Sequence, residues 1–151
     1  MSVSPADVLK SAVFNLDIKA RQYHPAIREL VEAASGDSRV LDNEGFERAV
    51  LLREDECSTS IGAGVSFPHA RTSCVSDLIL AVGRSKEGIP VADDTRIHLL
   101  FLIGTPKTKI QEYLMVVGFL ARNVKQQPIF EALIRADSPE AFVKSFGVSA
   151  K

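Results

Sequence analysis

The residues able to do chemistry concentrate in one stretch, Ser58-Thr59-Ser60-Ile61-Gly62-Ala63-Gly64-Val65-Ser66-Phe67-Pro68-His69-Ala70-Arg71. It opens with hydroxyl side chains and passes through two glycines one residue apart. It ends on a histidine, with a basic residue two positions further on. Pro68 has no amide hydrogen and belongs at a strand end or edge, and it drives Phe67 into extended backbone. The pattern predicts a short strand over residues 65–67, with His69 just past its end on a stiff support. An imidazole held that way suits nucleophilic or proton-transfer chemistry near neutral pH. The same residues also describe an ordinary turn carrying a surface histidine.

Each neighbouring candidate has a plain reading beside its functional one. Gly62 and Gly64 could bring bare amides to an anion, but a lone GxG lacks the length of a phosphate-binding loop. Glycines there equally serve a turn that needs positive φ. Arg53 could neutralise a phosphoryl group, because guanidinium matches phosphate geometry. It could as well be a solvated charge over the last carbonyls of a helix. His24 precedes Pro25 and reads as a helix-entry residue, while His98 lies in an apolar run and reads as a packed histidine. Cys57, Cys74 and His69 fit no zinc spacing, so neither a metal nor another cofactor is expected. A Cys74–His69 nucleophile pair would lack an orienting partner.

The elements that must position this stretch follow from periodicity. Ser4, Pro5 and Asp7 form a capping-box-like start to a short helix. Residues 14–19 alternate apolar and polar and predict a strand. Pro25 starts a second helix with Ile27, Leu30, Val31 and Ala34 on one face and Gly36 as its stop. Asp42 caps a third helix over 43–54, on which Phe46, Ala49, Val50 and Arg53 share a face. Leu78 to Val82 and Arg96 to Ile103 read as buried strands, with Gly88 to Val91 a turn or irregular edge. Thr108 to Gln111 predicts a capping box opening the longest helix. Ile110, Tyr113, Leu114, Val117, Ala121 and Val124 form one of its apolar stripes, and Val116, Phe119 and Leu120 a second. Pro128 and Ser138-Pro139 start two short helices. The order predicts an α/β fold, a mixed β-sheet with helices on both faces, built as one domain over residues 1–151.

Bulk properties exclude several function classes. The chain has 151 residues, enough for one domain with a sizeable core. Lys and Arg number 18 and Asp and Glu 19, a balance that argues against nucleic-acid binding by bulk charge. No apolar run is long enough to span a membrane. With two cysteines and no visible signal peptide, reduced thiols in the cytoplasm are expected.

Taken together, Arg53-Glu54, Ser58-Thr59, Ile61-Gly62-Ala63-Gly64-Val65-Ser66-Phe67-Pro68-His69, the apolar strand Leu99 to Ile103 and the helix from about Thr108 resemble the IIA domains of the fructose/mannitol class of the bacterial sugar phosphotransferase system, including their nitrogen-regulatory relatives. The resemblance implies that His69 accepts a phosphoryl group from an HPr-like protein. The group then passes to a IIB domain, or serves as a signal to a regulated transporter or kinase. It implies that Arg53 offsets phosphoryl charge and that Thr59, Gly62 and Gly64 hold phosphoryl oxygens. Two positions depart from the family pattern. Ser60 replaces a glycine, and Tyr113, in Glu112-Tyr113-Leu114, replaces a second histidine. Tyrosine can donate a hydrogen bond but cannot carry positive charge. The absence of attached IIB, IIC or HPr-like segments favours a stand-alone regulator. The alternative is a IIA-like binding module that docks on a transporter or kinase without passing phosphoryl groups.

Overall fold

In the computed structural model, which describes residues 4–56, 58–91 and 95–148, the two longest apolar runs become neighbouring strands. β4 (Ile79–Pro90) and β5 (Arg96–Thr105) pair antiparallel, with Ile79 opposite Gly104 and Val82 opposite Phe101. β1 (Val13–Asn15) lies parallel on the free side of β4. β2 (Val65–Ser66) and β3 (His69–Arg71) lie parallel on the free side of β5. The mixed α/β sheet is as the sequence predicts.

Side-chain alternation sends these strands into two cores. Leu80, Val82, Leu99, Phe101 and Ile103 face one layer, made by α1 (Pro5–Lys10), α4 (Ile110–Val124), α5 (Gln127–Arg135) and α6 (Pro139–Lys144). Ile79, Ala81, Leu100 and Leu102 face the other, made by α2 (Tyr23–Ala34) and α3 (Asn43–Glu56). Each fully buried Leu, Ile or Phe is worth about 1.5–3 kcal/mol. The helix-covered centre therefore stabilises the sheet far more than its short edge strands do. No helix among the described residues is long and apolar enough to cross a membrane.

Local chemistry explains where expected elements start and stop. Ser4 and Asp7 make the capping box of α1. Asp42 Oδ1 accepts the Gly45 amide at the start of α3, and Ser138 caps α6. The first strand is shorter than its alternation suggests. Glu29 of α2 accepts the backbone amides of Lys19 and Ala20 and the side chain of Asn15, and so turns the chain off the sheet. α2 starts two residues before Pro25, which sits where a missing amide hydrogen costs nothing. Gly36 is not its left-handed stop; Ser35 closes the helix by donating both its amide and its hydroxyl to the Glu32 carbonyl.

Three expectations in the second half change. Of the turn or irregular edge expected at Gly88 to Val91, the turn does not form: residues 88–90 belong to β4, with a register shift between Arg84 and Ile89 and Gly88 at φ +85°. The Thr108 capping box does not form. A 3₁₀ turn over Lys107–Lys109, closed by the Lys109 amide on the Pro106 carbonyl, leads into α4 without a side-chain cap. The buried face of α4 is Val116, Leu120 and Val124, while Leu114 of the first predicted stripe is 59% exposed.

Gly104 sets how closely α3 approaches the sheet. A Cβ at this position would lie 2.8 Å from the Phe46 ring and 3.1 Å from Val75 Cγ1. Because α3 carries Arg53, this contact also locates the candidate site. Gly104→Ala is expected to lower stability by about 1–3 kcal/mol through overpacking, read as a lower urea midpoint with an unchanged slope.

Candidate functional site

The histidine that closes the chemical stretch is seated by the edge of β5. Val65 pairs with Leu99 and His69 with Ile103, so β2 and β3 keep one register along β5. They are one extended segment interrupted at Phe67-Pro68. The Pro68 carbonyl accepts the Ile103 amide at 2.9 Å, while the Phe67 amide turns away to the Thr59 carbonyl at 3.2 Å. His69 therefore lies just past the end of β2, as the sequence predicts, and also opens a second short strand, β3. Proline ends the first short ladder, but the carbonyl of Pro68 still accepts, and pairing resumes one residue later.

A tight left-handed turn brings Thr59 into place. Gly62, Ala63 and Gly64 all have positive φ, at 80°, 55° and 79°. The Ile61 amide donates to the Val65 carbonyl at 3.0 Å, and Ser60 bridges to Ser66. Residues 58–61 are thereby folded back along β2. Ala63 is a non-glycine residue in a region that side chains disfavour.

One ring nitrogen of His69 is committed. Nδ1 lies 2.9 Å from the Phe67 carbonyl. A carbonyl can only accept, so in the neutral ring Nδ1 carries the proton and Nε2 keeps its lone pair. Burial pushes the imidazole below its ordinary value of 6.5, opposed by the Phe67 carbonyl; Arg53 and Arg71 push it down further, and Glu54 opposes them. The neutral, nucleophilic form is the one the site favours.

His69, Arg53, Arg71 and Tyr113 line one open cleft of about 630 Å³, with Leu52 and Leu114 at its rim. The Tyr113 ring lies 5.4 Å from the His69 ring, tilted by 41°. Burial raises the Tyr113 hydroxyl, and Arg53 and Arg71 oppose that rise. Of the residues singled out in the sequence, the fold thus gathers His69, Arg53 and Tyr113. The other three lie elsewhere. Thr59 donates its hydroxyl to Glu54 Oε1 at 2.7 Å and its amide to Glu54 Oε2 at 2.8 Å. Gly64 packs toward Arg96, His98 and Phe130, and the Gly62 amide donates to Ser60 Oγ; neither glycine lines the cleft.

The remaining candidates have plain places. His98 Nδ1 donates to the Ser85 carbonyl at 3.0 Å, as a packed strand residue. His24 faces Asp55 at 3.3 Å. Cys74 is a half-buried free thiol near Asp42, and Cys57 lies outside the described residues. The sequence reading quotes Glu54 beside Arg53 but gives it no role. It is 7% exposed and continues the buried Phe46–Val50 face of α3 at i, i+4, i+8. A carboxylate on an apolar stripe is the signal that would have found it. Beside it lies Tyr23, whose hydroxyl burial pushes up to about 12 despite the neighbouring Ser66 and Thr59 hydroxyls.

The depressed His69 titration has a definite sign. Between the folded value and 6.5 the unfolded chain binds the proton more readily. The associated stability is complete above 6.5 and is lost as pH falls through the folded value. Arg53→Gln removes one cation acting on the ring, so the His69 titration is expected to move upward, toward 6.5. An imidazole NMR titration of both proteins checks this, and an unmoved or lower midpoint contradicts it.

Comparison with known proteins accords with this geometry. Residues 7–147 match the family described as phosphoenolpyruvate-dependent sugar phosphotransferase system, EIIA 2. The chain is 32% identical over 137 residues to a fructose-specific EIIA component of Haloferax volcanii, covering 86% of this chain and 89% of that protein. It is 28% identical over 139 residues to a fructose-specific EIIABC component of Bacillus subtilis, covering 91% of this chain but only 22% of that longer protein. Among solved structures, the nitrogen regulatory protein IIA-Ntr of Neisseria meningitidis superposes with a TM-score of 0.82 at 23% identity, covering 93% of this chain and 97% of that one. With the family match spanning nearly the whole chain, this protein belongs to the EIIA type 2 family of the phosphoenolpyruvate-dependent sugar phosphotransferase system.

Proposed function

We propose that this chain is a histidine phosphocarrier or regulator of the phosphotransferase system, with His69 Nε2 as the phosphoryl acceptor. The observation that carries the reading is the committed Nδ1. Its bond to Phe67 leaves a neutral Nε2 lone pair beside Arg53 in an open cleft. The donor is a phosphohistidine on an HPr-like protein. Nε2 attacks phosphorus, the donor's P–N bond breaks, and the donor imidazole leaves with the electron pair. His69 then carries phosphorus on Nε2 and a proton on Nδ1, so the ring is cationic. The Phe67 carbonyl stabilises that cation and keeps the phosphoryl group labile for the next transfer.

Transfer of this kind needs alignment and charge compensation more than covalent help from the protein. Arg53 and Arg71 supply positive charge at the cleft. The group passes on to a IIB domain, or its presence signals to a transporter or kinase, in the cytoplasm. Tyr113 bears on which of these dominates. It packs against the acceptor ring where it can donate a hydrogen bond but adds no charge. That favours slower onward transfer and a signalling role, and supports as a second reading a module that docks without transferring.

Incubation with phosphoenolpyruvate, enzyme I and HPr is expected to add one acid-labile phosphate, seen by mass spectrometry, and His69→Ala to abolish it. No labelling sinks the carrier reading for those donors. Labelling that survives His69→Ala sinks the site.

A further inference from the structure

We infer that Glu54 is a positioning residue for His69, acting through a chain of hydrogen bonds that runs Glu54–Thr59–Phe67–His69. The inference rests on the reading of His69 as the acceptor. A buried carboxylate is costly unless its oxygens find donors, and both oxygens of Glu54 find them in one residue. Oε1 accepts the Thr59 hydroxyl at 2.7 Å and Oε2 its amide at 2.8 Å. That double bond pair fixes Thr59 against the end of α3. The Thr59 carbonyl in turn accepts the Phe67 amide at 3.2 Å. In extended backbone the amide and carbonyl of one residue lie on the same side. Anchoring Phe67 to Thr59 therefore also holds the Phe67 carbonyl off β5, where His69 Nδ1 reaches it at 2.9 Å.

The consequence concerns the nucleophile itself. A neutral imidazole divides between two tautomers unless something selects one. Only the Nδ1–H form presents Nε2 to phosphorus. The carboxylate that ultimately holds the selecting carbonyl comes from the helix that carries Arg53, so acceptor and counter-charge share one support. Thr59 serves this chain with its hydroxyl hydrogen bond already donated to Glu54, rather than to phosphoryl oxygens.

Long-range ¹H–¹⁵N NMR of the unphosphorylated protein, above the His69 titration, reads the tautomer directly, whatever the protein's activity. The wild type and Thr59→Ser are expected to hold the Nδ1–H form. Glu54→Ala is expected to give a mixture of both forms. Its phosphoryl acceptance from HPr should fall about tenfold at saturating donor, with the half-saturating donor concentration within about twofold of wild type. Thr59→Val, which keeps the amide donor and loses the hydroxyl, should fall between. A folded Glu54→Ala with the wild-type tautomer and rate overturns the inference. Should Glu54→Ala fail to fold, wild-type behaviour of Thr59→Val overturns it instead. A tautomer that redistributes in a protein never labelled by HPr supports the chain and removes the carrier reading.

Discussion

A carbonyl oxygen has lone pairs and no proton, so the contact between Phe67 and His69 Nδ1 leaves the neutral ring a single arrangement. Much of the surrounding backbone can be understood as the means of holding that oxygen still. The segment must leave β5 at Phe67 to point the carbonyl at the ring, then rejoin it at Pro68 to fix the ring's Cα. Proline tolerates the departure because it has no amide to leave unpaired. The turn at Gly62-Ala63-Gly64 then folds residues 58–61 back so that Thr59 can receive the amide that Phe67 withdraws from the sheet.

The rest of the fold sets the walls of the cleft from both sides of the sheet. α3 belongs to one core and α4 to the other, yet each sends side chains to His69: Arg53 from the first, Tyr113 from the second. They meet at β3, the short strand that borders β5 on that side of the sheet. Close seating of α3 depends on Phe46 lying over the bare backbone of Gly104. On α4, the core takes Val116, Leu120 and Val124, spaced by four, which rotates Leu114 and Tyr113 outward toward the cleft.

The layered fold was legible because burial has a period. Helical spacing on α2 and α3 marks their buried faces, and the unbroken apolar run Leu99 to Ile103 marks a strand covered on both sides. The candidate site was legible as a grouping, since the fold brings His69 and Arg53 into one cleft. The local course of the chain was not. Strand or loop at His69 is decided by partners 34 residues away on β5, and the 3₁₀ entry to α4 by an amide closing on Pro106. Leu114 has the spacing of a core residue but lies at a cleft rim, since a stripe wide enough for two faces does not say which neighbour each meets. Thr59 looked like a ligand-binding hydroxyl until the position of Glu54 gave its proton another destination.

The margins of the sheet decide how other proteins can meet this one. At one edge β1 offers three residues before Glu29 bends the chain away. At the other, proline interrupts the ladder and residues 58–61 lie across part of it. Among the described residues, neither edge presents a long row of unpaired amides and carbonyls, the template on which a foreign strand would add. On the proposed carrier reading, recognition falls to side chains around the open cleft, which suits partners that arrive, exchange and depart rather than join the sheet.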